Sequence, residues 1–115
     1  MARDDFHVIV YQMLSYLYQA LKKGETVDKK MIDYDSPLYE KINKKYWAYI
    51  IYNMHELGLI KGIDFVDVDG LDVPLAVNLE KCAITPHGIE YLTDNSFMEK
   101  AKQFLKDIKE IVPFT

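Results

Sequence analysis

The apolar residues near the start of the chain recur at helical spacing, and this pattern constrains the fold more than any other feature. Within residues 4–23, apolar side chains occupy positions i, i+3, i+4, i+7, i+8, i+11 and i+15, which share one face of a helix. These residues are Phe6, Ile9, Val10, Met13, Leu14, Leu17 and Leu21. Gly24 follows two lysines and suits the left-handed conformation that ends a helix. We therefore predict an amphipathic helix over residues 4–23.

Two further helices are predicted before the middle of the chain. Residues 25–36 are polar and indicate a connector with at most a short strand or turn. A serine followed by proline then predicts a short helix over residues 37–42. Asn43 is a suitable N-cap for the next helix, residues 44–57, which ends at a glycine. The predicted inward face of that helix consists of Trp47, Ile50, Ile51, Met54 and Leu57.

Strands and two final helices follow. Residues 59–68 are rich in β-branched and aromatic residues and predict a strand. Residues 73–79 contain a proline and predict a loop or a poor edge strand. Residues 83–85 predict a short second strand, and Thr85 and Pro86 predict the start of a helix that runs to about Thr93.

The last predicted helix begins at a capping box. Ser96 and Glu99 have the spacing in which each side chain caps the first turn of a helix. Apolar residues at helical spacing continue this helix to about residue 112, where Pro113 ends it.

The order of these elements predicts one α+β domain. A helix, a short helix, a helix, a strand, a long turn, a strand and two helices follow one another, as in a winged helix-turn-helix with a two-stranded wing. The 115 residues suffice for one domain. We assign residues 1–95 to the winged-helix core and residues 96–112 to a C-terminal helical extension.

Charge argues against nucleic-acid binding by bulk electrostatics. The chain has 14 Lys and Arg against 18 Asp and Glu, a net charge of −4. Residues 63–80 hold five of the acids and no Lys or Arg, so the remainder of the chain carries +1. A local basic face outside the acidic segment is therefore allowed.

Two segments resemble a known family. They are Trp47–Gly62 (WAYIIYNMHELGLIKG) and Ile84–Pro113, which opens with ITPHGIEYL. They resemble the YjcQ family, small proteins of Gram-positive bacteria and their phages. The resemblance implies a winged helix, in agreement with the order of elements. It implies a phage-type regulator only through the family's origin, because the family has no established biochemical activity.

The leading functional hypothesis is DNA binding by helix 44–57. A helix fits the major groove, where donors near its N-terminal half contact bases. The candidates are Lys41 for phosphate, and Lys44, Lys45, Tyr49, Tyr52 and Asn53 on the helix. The alternative is a solvated helix face with tyrosines covering the edge of the core. The competing function is a protein-interaction module on the same scaffold, which presents the acidic hairpin or the tyrosine-rich helix to a protein partner in place of double-stranded DNA.

The acidic hairpin does not fit a wing that touches phosphate. Asp64, Asp67, Asp69 and Asp72 would repel the DNA backbone. Three interpretations follow. The hairpin points away from DNA, it binds a basic partner, or its charges keep an exposed hairpin soluble. A calcium loop is excluded, because placing Gly70 at loop position 6 puts Phe65 and Ala76 where carboxylates are required.

The last helix is a candidate dimer interface. Five of its residues step by 4, 3, 4 and 3, as in a coiled coil: Phe97, Ala101, Phe104, Ile108 and Ile111. The alternative is that this stripe packs on the first helix of the same chain. The sequence leaves both interpretations open.

Catalysis and cofactor binding are not predicted. Cys82 and the histidines at positions 7, 55 and 87 are far apart in sequence and belong to no catalytic motif. No metal site or cofactor is expected. The N-terminus lacks a signal peptide, and the longest apolar run, Tyr46–Tyr52, is too short to span a membrane. We therefore expect a cytoplasmic protein that is not an enzyme.

Overall fold

The first helix runs through the middle of the protein. The computed structural model describes residues 1–108, and α1 spans Phe6–Lys23. Every residue from Val8 to Ser15 is buried, because the other helices and a strand pack around this stretch. The apolar spacing predicts burial of one face, whereas the structure buries the whole circumference here. Gly24 ends the helix in the left-handed conformation, with φ of 68°, as predicted.

The predicted short helix over residues 37–42 does not form. Side-chain hydrogen bonds satisfy the backbone there instead, since Ser36 Oγ accepts from the Leu38 N–H at 3.1 Å. The Leu38 carbonyl oxygen accepts from Gln12 Nε2 of α1 at 2.5 Å. These bonds give the backbone an alternative to a helix. The regular structure of this connector is one 3-10 turn, Lys29–Met31.

The second helix, α2, spans Lys44–Glu56. Asn43 caps it as predicted, because its Oδ1 accepts from the Lys45 N–H at 2.7 Å. The buried residues of α2 are Trp47, Ala48, Ile50, Ile51 and Met54. Leu57, which the spacing assigns to the same face, is 51 % exposed. It lies at the C-cap, where the helix has ended and the periodicity no longer directs its side chain inward.

The stretch predicted as one strand, residues 59–68, divides in two. β1 is Ile60–Lys61 and β2 is Asp64–Val66. Between them, Gly62 has a φ of 93°, which disfavours residues with a Cβ. A Cβ at Gly62 would also collide with the carbonyl oxygen of Lys81. The chain therefore bends sharply at Gly62, and the two strands pair with different partners.

The strands form two nested antiparallel pairs, and not one two-stranded hairpin. β3 (Leu75–Val77) pairs with β2, with Phe65 opposite Ala76. β4 (Ala83–Ile84) pairs with β1. The edge-strand interpretation of residues 73–79 is thus confirmed for their central part. A 3-10 turn at residues 79–81 connects the inner pair to β4.

The third helix, α3, spans Pro86–Asp94 and begins as predicted. Thr85 Oγ1 accepts from the Gly88 N–H at 2.9 Å, and proline occupies the first helical position.

The fourth helix, α4, spans Ser96–Asp107 and packs against α1 and α3. The predicted capping box is wrong by one residue, because Asn95 is the cap and Ser96 is the first helical residue. Asn95 Oδ1 accepts from the Phe97 N–H at 2.8 Å. A single extended residue separates α3 from α4, so it takes the capping role for the helix that follows. The predicted continuation to residue 112 lies outside the described residues.

The architecture is α+β. Within residues 1–108 there are four α-helices and two small antiparallel sheets. The core is continuous, with α1 at its centre and α2, α4 and the strands around it. In the described part of the chain, no helix is long and apolar enough to cross a lipid bilayer.

Candidate nucleic-acid interface

The three candidate lysines lie at the start of α2. Lys41, Lys44 and Lys45 are all exposed. Lys44 Nζ is 4.8 Å from the centroid of the Tyr34 ring, and Lys41 Nζ is 6.0 Å from the same centroid. Within residues 1–108, none of the three lysines forms an ion pair with a carboxylate. The N-terminus of α2 adds its own positive potential to this lysine cluster.

The other candidates on α2 differ in exposure. Tyr49 is 51 % exposed and packs edge-on against Phe6, with ring centroids 6.3 Å apart. Tyr52 is half-buried and packs edge-on against Phe65 at 5.5 Å. Asn53 is half-buried, and its Nδ2 donates to the Tyr49 carbonyl oxygen at 2.8 Å. Tyr49 is therefore free to reach a partner, whereas the Tyr52 ring already covers β2.

The tip of the acidic hairpin lines a cavity together with Lys44 and Lys45. The aspartates of the hairpin, Asp64, Asp67, Asp69 and Asp72, are all exposed. Asp64 Oδ2 accepts from Asn78 Nδ2 at 2.7 Å across the β2–β3 pair. At the hairpin tip, Asp69 lines the same cavity as Lys44 and Lys45. The structure thus brings together the most acidic and the most basic of the candidate segments.

A cavity of about 650 Å³ lies between α2 and the hairpin tip. Its apolar lining includes Trp47, Leu71, Leu75 and Leu79, and its charged lining includes both lysines of α2. The sequence did not predict this cavity. Its residues come from separate segments, and Trp47 and Leu79 have the spacing of ordinary core residues. No local sequence signal could have found it.

The predicted dimer stripe on α4 is divided between the core and the surface. Ala101 is fully buried, so this residue packs within its own chain, as the alternative interpretation predicts. Phe97 is 45 % exposed and Ile108 is 40 % exposed, while Phe104 is half-buried. Ile111 lies outside the described residues. The exposed members form an outward apolar face on α4.

The cysteine and the histidines do not meet in a common site. Burial raises the pKa of the Cys82 thiol to about 12, so the thiol is neutral and a poor nucleophile at physiological pH. His7 stacks on Phe97 with ring centroids 4.3 Å apart, whereas His55 lies on α2 and His87 is exposed on α3. Among residues 1–108, no group of three or more His, Cys, Asp or Glu is placed to hold a metal ion.

The two segments that carry the family resemblance pack against each other. The Thr85 N–H donates to the Leu59 carbonyl oxygen at 3.0 Å, and Thr85 Oγ1 donates to the Gly58 carbonyl oxygen at 2.5 Å. Gly88 packs so closely on Leu59 that a Cβ would collide with its carbonyl oxygen. These motif residues therefore join α2, β1, β4 and α3, and their role in the structure is packing.

Comparison with a protein-family model agrees with the resemblance of these two segments. No curated protein and no solved structure matches the chain. The family model described as YjcQ protein matches residues 11–111, which include nearly all of both segments. The chain therefore belongs to the YjcQ family.

Proposed function

We propose that the protein binds double-stranded DNA through α2, as a small regulator. The observation that carries the proposal is the lysine cluster at the start of α2, which is exposed and without ion pairs within residues 1–108. In this proposal, α2 is the recognition helix of a winged helix and the β2–β3 hairpin is the wing. The turn-rich connector over residues 37–42 takes the place of the first helix of a helix-turn-helix.

The side chains of α2 suit different parts of a DNA duplex. Lys41, Lys44 and Lys45 contact phosphates, because an ammonium group neutralises a phosphate without reading the base. Tyr49 extends from the same helix one turn further along. Asn53 keeps its Oδ1 and one amide hydrogen for a base edge in the major groove. Tyr52 contributes by supporting the wing through Phe65.

The number of lysines sets the expected salt dependence. Three phosphate contacts give a slope of about −2.7 in log K against log salt, so affinity falls roughly 40-fold between about 50 and about 200 mM salt. One chain with three such contacts binds weakly. We therefore propose a homodimer, which presents two copies of α2 to one duplex.

The test is a titration of the protein into fluorescent random-sequence duplex DNA at these two salt concentrations. The variant Lys44→Gln with Lys45→Gln leaves one lysine, so the salt effect should shrink to roughly 3.5-fold. The control Lys22→Gln with Lys23→Gln removes the same charge from two exposed residues at the far end of α1. This control should bind as the parent does. Equal losses in the two double variants, or no binding at the lower salt concentration, would refute the proposal.

A second candidate function is a protein-interaction module. The observation that favours it is the acidic hairpin tip, whose Asp69 lines the same cavity as Lys44 and Lys45 and would repel the phosphate backbone of DNA. The variant Asp67→Asn with Asp69→Asn separates the two functions. If α2 binds DNA, removal of these two negative charges should strengthen DNA binding severalfold. If neither the parent nor this variant binds duplex at low salt, the interaction module becomes the leading function.

A further inference from the structure

We propose that the cavity between α2 and the hairpin tip binds a small, largely apolar molecule that carries one anionic group. This inference goes beyond DNA binding and does not depend on it. It rests on three properties of the cavity: its size, its apolar wall, and the position of the lysines of α2.

The cavity has the dimensions of a ligand site. Its volume of about 650 Å³ falls within the range of roughly 300–1,000 Å³ that is typical of small-molecule pockets. Leu71 and Leu75 in its wall are only half-buried, and Val68 at its edge is 41 % exposed. A flat apolar molecule in the cavity would remove this surface from water, which favours binding.

The wall is already held in place without a ligand. Trp47 is 4 % exposed, and its Nε1–H donates to the Ile32 carbonyl oxygen at 2.8 Å. Ala76 is 5 % exposed and lies in the β3 register opposite Phe65. The indole and the strand therefore require little ordering when a ligand enters, which lowers the entropic cost of binding.

The charges of the lining favour an anion on the α2 side. Lys44 and Lys45 line the cavity at the N-terminus of α2, and the helix dipole adds to their positive charge. The two aspartates of the lining are placed differently. Asp33 Oδ1 already accepts from the Tyr34 N–H at 2.7 Å, and Asp69 lies at the exposed hairpin tip. A ligand with a single carboxylate or sulfonate can place that group at Lys44 and Lys45 and away from Asp69, whereas the extended phosphate backbone of a duplex cannot avoid the hairpin tip.

Two matched probes test both parts of the proposal. One is 1-anilinonaphthalene-8-sulfonate, an aromatic anion, and the other is N-phenyl-1-naphthylamine, the same ring system without the sulfonate. Each is titrated into the full chain and followed by probe fluorescence. Two-dimensional ¹H–¹⁵N spectra follow the indole N–H signal of Trp47, the single tryptophan. We expect one molecule of each probe per chain, with a shift of that indole signal.

The variants assign the site. Lys44→Gln with Lys45→Gln should weaken the anionic probe roughly fivefold to tenfold at low salt and leave the neutral probe unchanged, because only the anion interacts with the ammonium groups. Ala76→Leu fills the cavity and should weaken both probes at least tenfold. Phe97→Ser removes apolar surface from α4, distant from the cavity, and should change neither affinity.

Each outcome decides the proposal. The Ala76→Leu result counts only if the variant still unfolds cooperatively on heating. The lysine variant changes two exposed residues, so it tests the requirement for positive charge even if Ala76→Leu does not fold. Probe binding that Phe97→Ser abolishes, or that the lysine variant leaves unchanged for the anion, would overturn the proposal. The experiment contains no DNA, so its failure and the failure of the DNA proposal are distinguishable.

Discussion

Gly88 packs directly against the carbonyl oxygen of Leu59, with no space for a side chain between them. A Cβ at position 88 would collide with that oxygen and would lie 2.8 Å from Ile84 Cγ1. Gly88 is buried inside α3. Glycine is therefore required here by close packing between α3 and the end of α2, at the junction of the two family segments.

Gly88→Ala should consequently destabilise the protein. Alanine is the better helix former by about 1 kcal/mol, but overpacking against a backbone carbonyl typically costs about 1–3 kcal/mol. The difference predicts a net loss of up to about 2 kcal/mol in the free energy of unfolding, measured by urea denaturation. The control Glu90→Ala changes an exposed residue of the same helix and should stay within about 0.5 kcal/mol of the parent. An increased free energy of unfolding for Gly88→Ala would show that the backbone at Leu59 shifts to accommodate the added Cβ at little cost.

The capping assignment of α4 is testable by two neighbouring substitutions. Asn95→Ala removes the side chain that accepts from the Phe97 N–H, so the free energy of unfolding should fall by about 1 kcal/mol. Ser96→Ala changes an exposed residue inside the helix and should have little effect. Chemical denaturation of both variants under the same conditions measures the difference. The reverse order of effects would restore Ser96 as the cap.

Burial of Cys82 predicts a loss of stability at high pH. Its thiol has a pKa of about 12 in the folded state against an ordinary value of 9.0, so the unfolded state ionises first as pH rises. The contribution is complete well below pH 9.0 and declines as pH rises through that value. Between about pH 8 and about pH 9.5, the parent should lose about 0.8 kcal/mol more than Cys82→Ala.

Urea denaturation of the parent and of Cys82→Ala at both pH values measures this difference. Burial also raises the pKa values of Tyr39 and Tyr91, so these tyrosines also reduce stability at high pH. Both proteins contain them, and the difference between the two free energies of unfolding therefore reports the thiol alone. Parallel pH profiles for the two proteins would mean that the thiol ionises as readily in the folded state as in the unfolded state.

The outward apolar face of α4 predicts self-association. Phe97→Ser with Ile108→Ser replaces two exposed apolar side chains and should convert a dimer into a chain of 13.5 kDa, measured by light scattering. The control Val66→Ser removes a similarly exposed apolar residue from the hairpin and should leave the mass unchanged. A parent that already has the mass of one chain would contradict dimerisation through α4.

Local signals in the sequence identified most of the helices. Asn43 and Thr85 cap the helices that they were predicted to cap, and Gly24 ends α1 in the left-handed conformation. Each of these features depends on side-chain and backbone groups within about one helical turn, so it can be inferred without knowledge of the rest of the chain. The exposure of Lys44 and Lys45 can also be inferred locally, because the apolar face of α2 begins only at Trp47.

Predictions failed where distant segments supply the partners. The segment around Leu38 has a helix start signal, but Gln12 of α1 binds its backbone and no helix forms. The strand predicted over residues 59–68 breaks at Gly62, since the carbonyl oxygen of Lys81 occupies the space beside it. The cap of α4 was mispredicted for a local reason instead, because α3 continues to Asp94 and Asn95 is the one extended residue before α4.

The sequence by itself determined the α+β class, the positions of the long helices and the residues of the lysine cluster. Periodicity and capping encode these features locally. Only the tertiary structure decided that the cavity exists, that Asp69 lines it together with Lys44 and Lys45, and that Ala101 faces the core while Phe97 faces outward. Each of these depends on how α2, the hairpin and α4 pack, and such contacts between distant segments leave no periodic trace in one sequence.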